Sequence, residues 1–441
     1  MNQKPNKLIS ILEALGLNTP SSRAWALYDV ANSAFACTIM VAILPVYFAD
    51  VVAVSMDRQS ISSTWAYVSA LAALLIACLS PIMGVLADSL GFKKKFLAGF
   101  TGIGASASSL LYFAQSGDIA LTITLYLIAS IAFGAGEVCY ESLLPHITKQ
   151  KRMHTTSASA YALGYLGGGV LLALNLSWIS NPNFWGISSG QMAVNLSFLS
   201  VGIWWLLFSI PLFTSIPEPS IRSDNLQAGL AIPILIKDAI SELRQTFLHI
   251  RTYKMTFLFL LAYWLYSDGV GTIMKLAVIY GKEVGIGNED LIGAILLVQF
   301  LGVPATFMFG PITEKIGAKK TLYLTLSVYT AITGLAYFMA TASHFWFLAT
   351  LIALVQGATQ AISRSLYAGI IPVKKSSEFF SFFSISSKFA GVIGPLVFAL
   401  VSDALGDSRY SLLFVASLFL AGIYLLSKVD LEEGKKAAAQ H

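Results

Sequence analysis

Twelve apolar runs of roughly 18–25 residues recur along this chain, each long enough to cross the hydrocarbon core of a bilayer as one helix. They lie near 24–49, 65–87, 96–114, 120–145, 156–178, 192–213, 254–280, 289–312, 321–341, 345–371, 379–402 and 410–428. In lipid the backbone N–H and C=O groups must be satisfied within the protein, so runs of this length span as helices. An all-α membrane protein with twelve transmembrane helices is expected. Composition agrees: 56% of residues are apolar and 12% charged, about half the charged share of an average soluble domain. Mean hydropathy is +0.72.

A second feature divides the chain. Gly84-Val-Leu-Ala-Asp88-Ser-Leu-Gly91-Phe-Lys93-Lys94 recurs as Gly310-Pro-Ile-Thr-Glu314-Lys-Ile-Gly317-Ala-Lys319-Lys320, 226 residues on. Each copy sits between two apolar runs as a short polar hinge. Pro145 and Pro372 stand 227 apart, as do Gly164 and Gly391, and Gly167 and Gly394. An even number of spans separates the copies, so the repeat is parallel. The long polar stretch at 214–253 is the natural linker between two pseudo-symmetric six-helix bundles, residues 1–213 and 254–441. A chain built this way is expected to rock its halves about a central site.

Orientation follows from the positive-inside bias. With both termini in the cytoplasm, that side receives 22 of the 28 Lys and Arg residues. The other side keeps Arg58, Lys282 and Arg409, and Lys275, Arg364 and Lys388 lie within spans. Residues 1–20 contain Glu13 and only a short apolar stretch, so they read as a segment before the first span and not as a cleaved signal.

Several function classes are disfavoured. No basic tract or stacking motif suggests nucleic acid. Cys37, Cys78 and Cys139 fall in apolar runs without a CxxC pair and read as packing residues, so no metal is expected. Gly317-Ala-Lys319-Lys320-Thr321 lacks the spacing of a phosphate-cradling loop, so ATP is not the driver and no cofactor is expected. The five histidines offer no catalytic constellation at a common depth, and the chain does not read as an enzyme.

The hinge pattern Gly-x-x-x-Asp-x-x-Gly-x-Lys-Lys resembles the signature loop of the major facilitator superfamily, and the likeness covers the whole chain. A narrower likeness lies in Trp25-Ala-Leu-Tyr-Asp29-Val-Ala-Asn32-Ser-Ala-Phe35 with Pro45-Val-Tyr-Phe48. It continues in Gln356-Gly-Ala-Thr-Gln360-Ala-Ile-Ser-Arg364-Ser-Leu-Tyr367 and in Phe382-Phe-Ser-Ile-Ser-Ser-Lys388-Phe-Ala-Gly391. These resemble the vacuole effluxer (autophagy-related permease) branch, except at Val30, where a second Trp is expected. The resemblance implies the major facilitator fold, a cavity lined by spans 1, 4, 7 and 10, and efflux of amino acids.

Each ionisable side chain inside a span costs about 2.5–3.5 kcal/mol on insertion scales and calls for a reason. Asp29 lies in span 1, Glu137 and Glu141 in span 4, Asp268 and Lys275 in span 7, Arg364 in span 10 and Lys388 in span 11. The resemblance therefore puts six of these seven on cavity helices. Glu137 and Glu141 share a helix face, and their repulsion favours keeping one protonated, as proton coupling requires; alternatively Glu141 reaches water or Lys149. Glu137 corresponds to Arg364 at the repeat offset. The two would form a gate-like ion pair, hold the two ends of a zwitterion, or make a permanent structural pair; Arg suits a carboxylate through its planar fork.

Asp268 is near mid-membrane, where Gly269 and Gly271 are expected to loosen the helix, with Lys275 seven residues on along one face. Asp29 and Asn32 either touch substrate or lock neighbouring helices. Tyr28, Tyr263, Trp264, Tyr266 and Tyr367 are further candidates for the cavity wall. The candidates for substrate binding or proton coupling are thus Asp29, Asn32, Glu137, Glu141, Asp268, Lys275, Gln360, Arg364 and Lys388. The hinge set Gly84, Asp88, Gly91, Lys93, Gly310, Glu314, Gly317 and Lys319 reads as conformational locking.

The function expected is a secondary active transporter moving a small polar metabolite, with protons as a candidate coupling ion. An amino-acid or similar zwitterion exporter comes first; a carrier of sugar, nucleoside or drug, or a receptor or scaffold, is the alternative. It is read as a multi-pass monomer among membrane lipids, in the inner (plasma) membrane if prokaryotic.

Overall fold

The computed structural model describes residues 7–56, 58–219, 241, 253–390, 394, 397–398, 400–401 and 409–439. Apart from 214–219, 241 and 253, the expected linker lies outside the described residues, as does Gly391; so do the side chains of Lys275 and Lys388.

A terminal helix α1 (Lys7–Ala14) precedes twelve longer ones. These are α2 (Pro20–Ala34), α3 (Arg58–Leu90), α4 (Lys93–Leu110), α5 (Ile119–Ser142), α6 (Met153–Ser180) and α7 (Gly190–Ser215). Then follow α8 (Lys254–Glu283), α9 (Asn288–Ile316), α10 (Ala318–Ala336), α11 (Ala342–Ala368), α12 (Ser376–Phe389) and α13 (Arg409–Lys428). A last helix, α14 (Leu431–Ala439), docks through Gly434 against Ile370 and Met255.

Ten segments among the described residues are long and apolar enough to span a bilayer. The other two positions are taken by α10, which opens on Lys319 and Lys320 and carries four threonines, and by the 14-residue α12. Part of the eleventh apolar run lies outside the described residues.

Local chemistry sets the helix starts. Thr19 accepts from the Ser22 N–H at 3.0 Å while the Ser22 hydroxyl accepts from the Thr19 N–H at 3.2 Å, with Pro20 as the first helical residue of α2. Ser189 and Thr341 cap α7 and α11 in one direction only, accepting the Met192 and His344 N–H groups. Between α3 and α4, and between α9 and α10, the chain turns through Gly91 (φ 63°) and Gly317 (φ 94°), a backbone region that favours glycine. The repeated hinge is thus a helix break in both copies. After Ala34 the first span continues in π-helical turns over Phe35–Ala42 and again over Phe48–Val52, around Pro45.

The first six long helices pack on one another, α2 against α6 and α7, and α4 against α5 and α7. The second six do likewise, α9 against α11, α8 against α13 and α10 against both α11 and α13. The two sets meet along two seams, α6 on α9 and α3 on α12.

Glycine governs the approach at the seams. A Cβ at Gly310 would lie 2.9 Å from Thr155 Cα, and one at Gly84 would collide with the Ser377 carbonyl oxygen. Within the first set, a Cβ at Gly167 would lie 2.5 Å from Val30 Cγ1. Val30, the departure from the expected Trp, thus sits in a contact with no room for a larger ring.

Candidate functional site

Between the two sets lies a cavity of about 690 Å³. Val41 and Met274, 75% and 46% exposed, line it at the end away from the hinge loops, so it opens on that side. Its polar wall includes Asp29, Asn32, Glu137, Glu141, Gln360 and Arg364. Six of the nine sequence-predicted site residues are therefore brought together.

The hinge side is closed by bonds that mostly cross from one set to the other, the Lys93–Asp88 pair lying within the first set. Asp88 Oδ2 accepts the Glu378 backbone N–H at 2.7 Å at the start of α12, where the helix dipole favours an anion. Lys93, fully buried, lies 2.5 Å from Asp88 Oδ1 and donates to Ser376 Oγ at 2.6 Å. In the second copy, Glu314 accepts from the Thr155 hydroxyl at the start of α6. Ser377 Oγ donates to Ser142 Oγ at 2.9 Å, Gln150 to the Gly369 carbonyl at 3.2 Å, and Ser157 to the Ala361 carbonyl at 2.8 Å. Lys319 departs from the repeat and holds the Ser427 and Val429 carbonyls within its own set.

Arg364 forms the floor of the cavity. It is 1% exposed, and its Nη1 and Nη2 donate to Asp29 Oδ2 at 3.3 and 3.2 Å. Nε donates to Ser157 Oγ at 3.0 Å and Nη2 to the Ser157 carbonyl at 3.1 Å. The guanidinium carbon lies 4.0 Å from the Tyr161 ring centre and 4.7 Å from that of Trp25. Trp25 is in turn stacked on Tyr140 at 4.7 Å and donates its indole N–H to the Tyr140 carbonyl at 2.9 Å. An arginine of α11 is thus held by α2 and α6 of the other set, with acceptors and aromatic faces replacing water. Replacing Tyr161 by Leu removes the nearest of those faces and should cost about 0.5–2 kcal/mol, read as a lowered melting temperature. An unchanged melting temperature would mean that the ring does not support the charge.

Three expectations need correcting. The carboxylate that Arg364 grips is Asp29, not Glu137; Glu137 stands on the wall. The repeat offset fixes depth along a helix, but the long Arg side chain reaches the face of α2. Asp268 is 3% exposed and is not part of the wall; Ser267, Val270 and Gly271 are. Thr272, one turn on along the same face, does line it, so Asp268 is covered and not turned away; beside it Gly269 packs on Phe419 of α13. Helix α8 also runs unbroken past Gly269 and Gly271.

Of the five aromatic candidates, Tyr263 and Tyr266 line the cavity. Tyr28 bonds Thr101 and Tyr367 bonds the Phe379 carbonyl. Cys37, read as packing, lines the wall from the π-helical turns after α2 and accepts from Gln299 Nε2 of α9 at 3.1 Å.

Residues missed from the sequence are Ser157, Tyr161, Tyr165 and Gln299. The run Ser157-Ala-Ser-Ala-Tyr161-Ala-Leu-Gly164-Tyr165 did hold a signal, since Ser157, Tyr161 and Tyr165 recur every four residues on one face.

Comparison with known proteins places this geometry. Among solved structures, the fucose transporter FucP in its outward conformation superposes with a TM-score of 0.68 at 17% identity, covering 93% of this chain and 97% of that one. The proton:xylose symporter XylE superposes with a TM-score of 0.68 at 13% identity, over 95% and 96%. The fold is that of the major facilitator superfamily, a class of transporters and not enzymes. A Bacillus subtilis relative, an uncharacterized MFS-type transporter called YxiO, is 33% identical over 96% of this chain and 97% of its own. Autophagy-related protein 22 of Saccharomyces cerevisiae is 25% identical over 80% of this chain and 74% of its own. The family model described as "Vacuole effluxer Atg22 like" matches residues 19–439, and the chain belongs to that family. It is an integral, multi-pass membrane protein with a small-molecule substrate.

Proposed function

We propose that this transporter carries an amino acid or a similar zwitterion outward by alternating access, with residues 1–213 and 254–441 rocking as two bundles joined by 214–253. The observation that carries the reading is the charged cavity between the two sets, open at one end and closed at the other by Asp29–Arg364 and the hinge bonds. For the cavity to open on the hinge side, the cross-set bonds must break together, which supports a locking role for Asp88, Lys93 and Glu314; Lys319, bonded within its own set, takes no part in that break. With both termini cytoplasmic, as the Lys and Arg distribution favours, the closed side is the cytoplasmic one.

Cavity-lining Asn32, Gln360 and the paired acids Glu137 and Glu141 supply polar contacts for a zwitterion. The two acids, four residues apart on α5, also support proton coupling through a shared proton. Efflux is favoured by the family's description.

The test is exchange of labelled amino acids by the purified protein in liposomes. Uptake above that of protein-free vesicles, slowed several-fold when an ionophore dissipates the pH gradient, is expected. No exchange of any amino acid would remove the substrate reading, and an unchanged concentrative rate would remove proton coupling.

A further inference from the structure

Two imidazoles sit on the seam that closes the hinge side. His146, in the turn between α5 and α6, has its Nε2 3.3 Å from Ser376 Oγ at the start of α12. His154, the second residue of α6, has its Nδ1 2.8 Å from Ser365 Oγ of α11. Both rings belong to the first set and both hydroxyls to the second. Each ring is half-buried and lies just outside the apolar runs 120–145 and 156–178, on the side that the Lys and Arg distribution makes cytoplasmic.

The closed arrangement suits neutral rings and not charged ones. Ser376 Oγ accepts from Lys93 Nζ at 2.6 Å and donates to the Ser142 carbonyl at 3.0 Å. A second proton on His146 would bring two cations onto one hydroxyl. The acids around it are already engaged, Asp88 by Lys93 and Glu378 by Lys375 at 3.6 Å, and Lys374 adds further positive charge. His154 stands in the first turn of α6, where the helix dipole opposes a cation, and it faces Lys435 of α14. Glu432 is held by Lys435 at 2.8 Å and Glu314 by the Thr155 hydroxyl. Arg364, beside Ser365, is taken by Asp29, and Arg152 by the Glu13 carbonyl.

We propose that His146 and His154 make the hinge-side closure sensitive to cytoplasmic pH, joining the two sets as neutral rings and parting them as charged ones. When the seam opens, water reaches both rings, and a solvated imidazole titrates near pH 6.5. Protons therefore bind the open arrangement better. Acidification through that value favours opening, and alkaline conditions favour closure. With the closed rings neutral, the open-to-closed ratio rises about tenfold per ring between pH 7.5 and 5.5. The inference rests on the alternating-access reading above and adds its regulation; the identity of the solute does not enter it.

Electron–electron distance measurements test it, with spin labels at Lys95→Cys and Lys320→Cys. Both positions are exposed on the hinge side, one on each set, and the purified full chain would lack Cys37, Cys78 and Cys139. With both histidines present, the longer-distance population should grow from pH 7.5 to 5.5. His146→Gln and His154→Gln, which keep a hydrogen-bonding amide that does not titrate, should each remove about tenfold of that change. The double variant should hold constant within about twofold. Gly84→Ala, which crowds the closed seam at Ser377, marks the open population at pH 7.5. A longer population that Gly84→Ala raises and pH does not, or a pH response that the double variant retains, would overturn the histidine inference alone. One unchanging distance under every condition would remove alternating access and this inference with it.

Discussion

Asp29→Asn should reduce transport to background and lower stability by about 3–5 kcal/mol, the usual cost of stranding a buried charge. Arg364 would keep Ser157 and its aromatic neighbours but lose its carboxylate, inside a membrane and with 1% exposure. Arg364→Gln should act in the same direction, by leaving Asp29 without its cation. The double variant Asp29→Asn/Arg364→Gln separates two roles. Removing both charges relieves the electrostatic penalty, so its melting temperature should return most of the way to wild type. Its transport should not return, because the cross-set closure would have lost the interaction that distinguishes a closed floor from an open one. A double variant that transports like wild type would make the pair structural only. A single variant with an unchanged melting temperature would mean that the pair does not form.

Gly84→Ala should shift the protein toward the state with its hinge side open. Its new methyl group would meet the backbone carbonyl of Ser377 and lie 3.1 Å from Ser381 Cβ, and a backbone atom cannot rotate away. Overpacking of this kind costs about 1–3 kcal/mol, a factor of roughly 5–150 in a two-state equilibrium. Here the cost falls on the closed arrangement, in which α3 touches α12. Labelling of a cysteine placed at the fully buried Ser142, in a chain lacking Cys37, Cys78 and Cys139, should quicken by at least several-fold. Gly99→Ala is the control, since nothing lies within 4 Å of a Cβ there. Equal labelling of the two variants would count against the closure being set by glycine contact.

The architecture was legible in the sequence because the bilayer allows so little else. Run length gave the helices, and the repeated Gly-acid-Gly-Lys pattern gave the pairing of hinges. At that spacing Gly91 and Gly317 break their helices at matching places. Arg364 was legible as costly and central.

Its partner was not, because a repeat offset carries depth but no azimuth, and a side chain as long as arginine's can reach more than one helix. Asp268 was misplaced because depth and helix face do not reveal burial: Thr272 on its own face lines the cavity, while Asp268 is covered. Tyr161 and Tyr165 were passed over because they lie on the fifth span, outside the four that the resemblance gives to the cavity wall.

The central claim is that the hinge-side contacts open and close in every transport cycle. Ser142 and Ser377, on opposite sets with hydroxyls 2.9 Å apart, are placed to report it, since cysteines there would lie within disulfide reach. In a chain without other cysteines, oxidation of Ser142→Cys/Ser377→Cys should stop transport, and a reductant should restore it. Full transport by the oxidised, cross-linked protein would contradict the account.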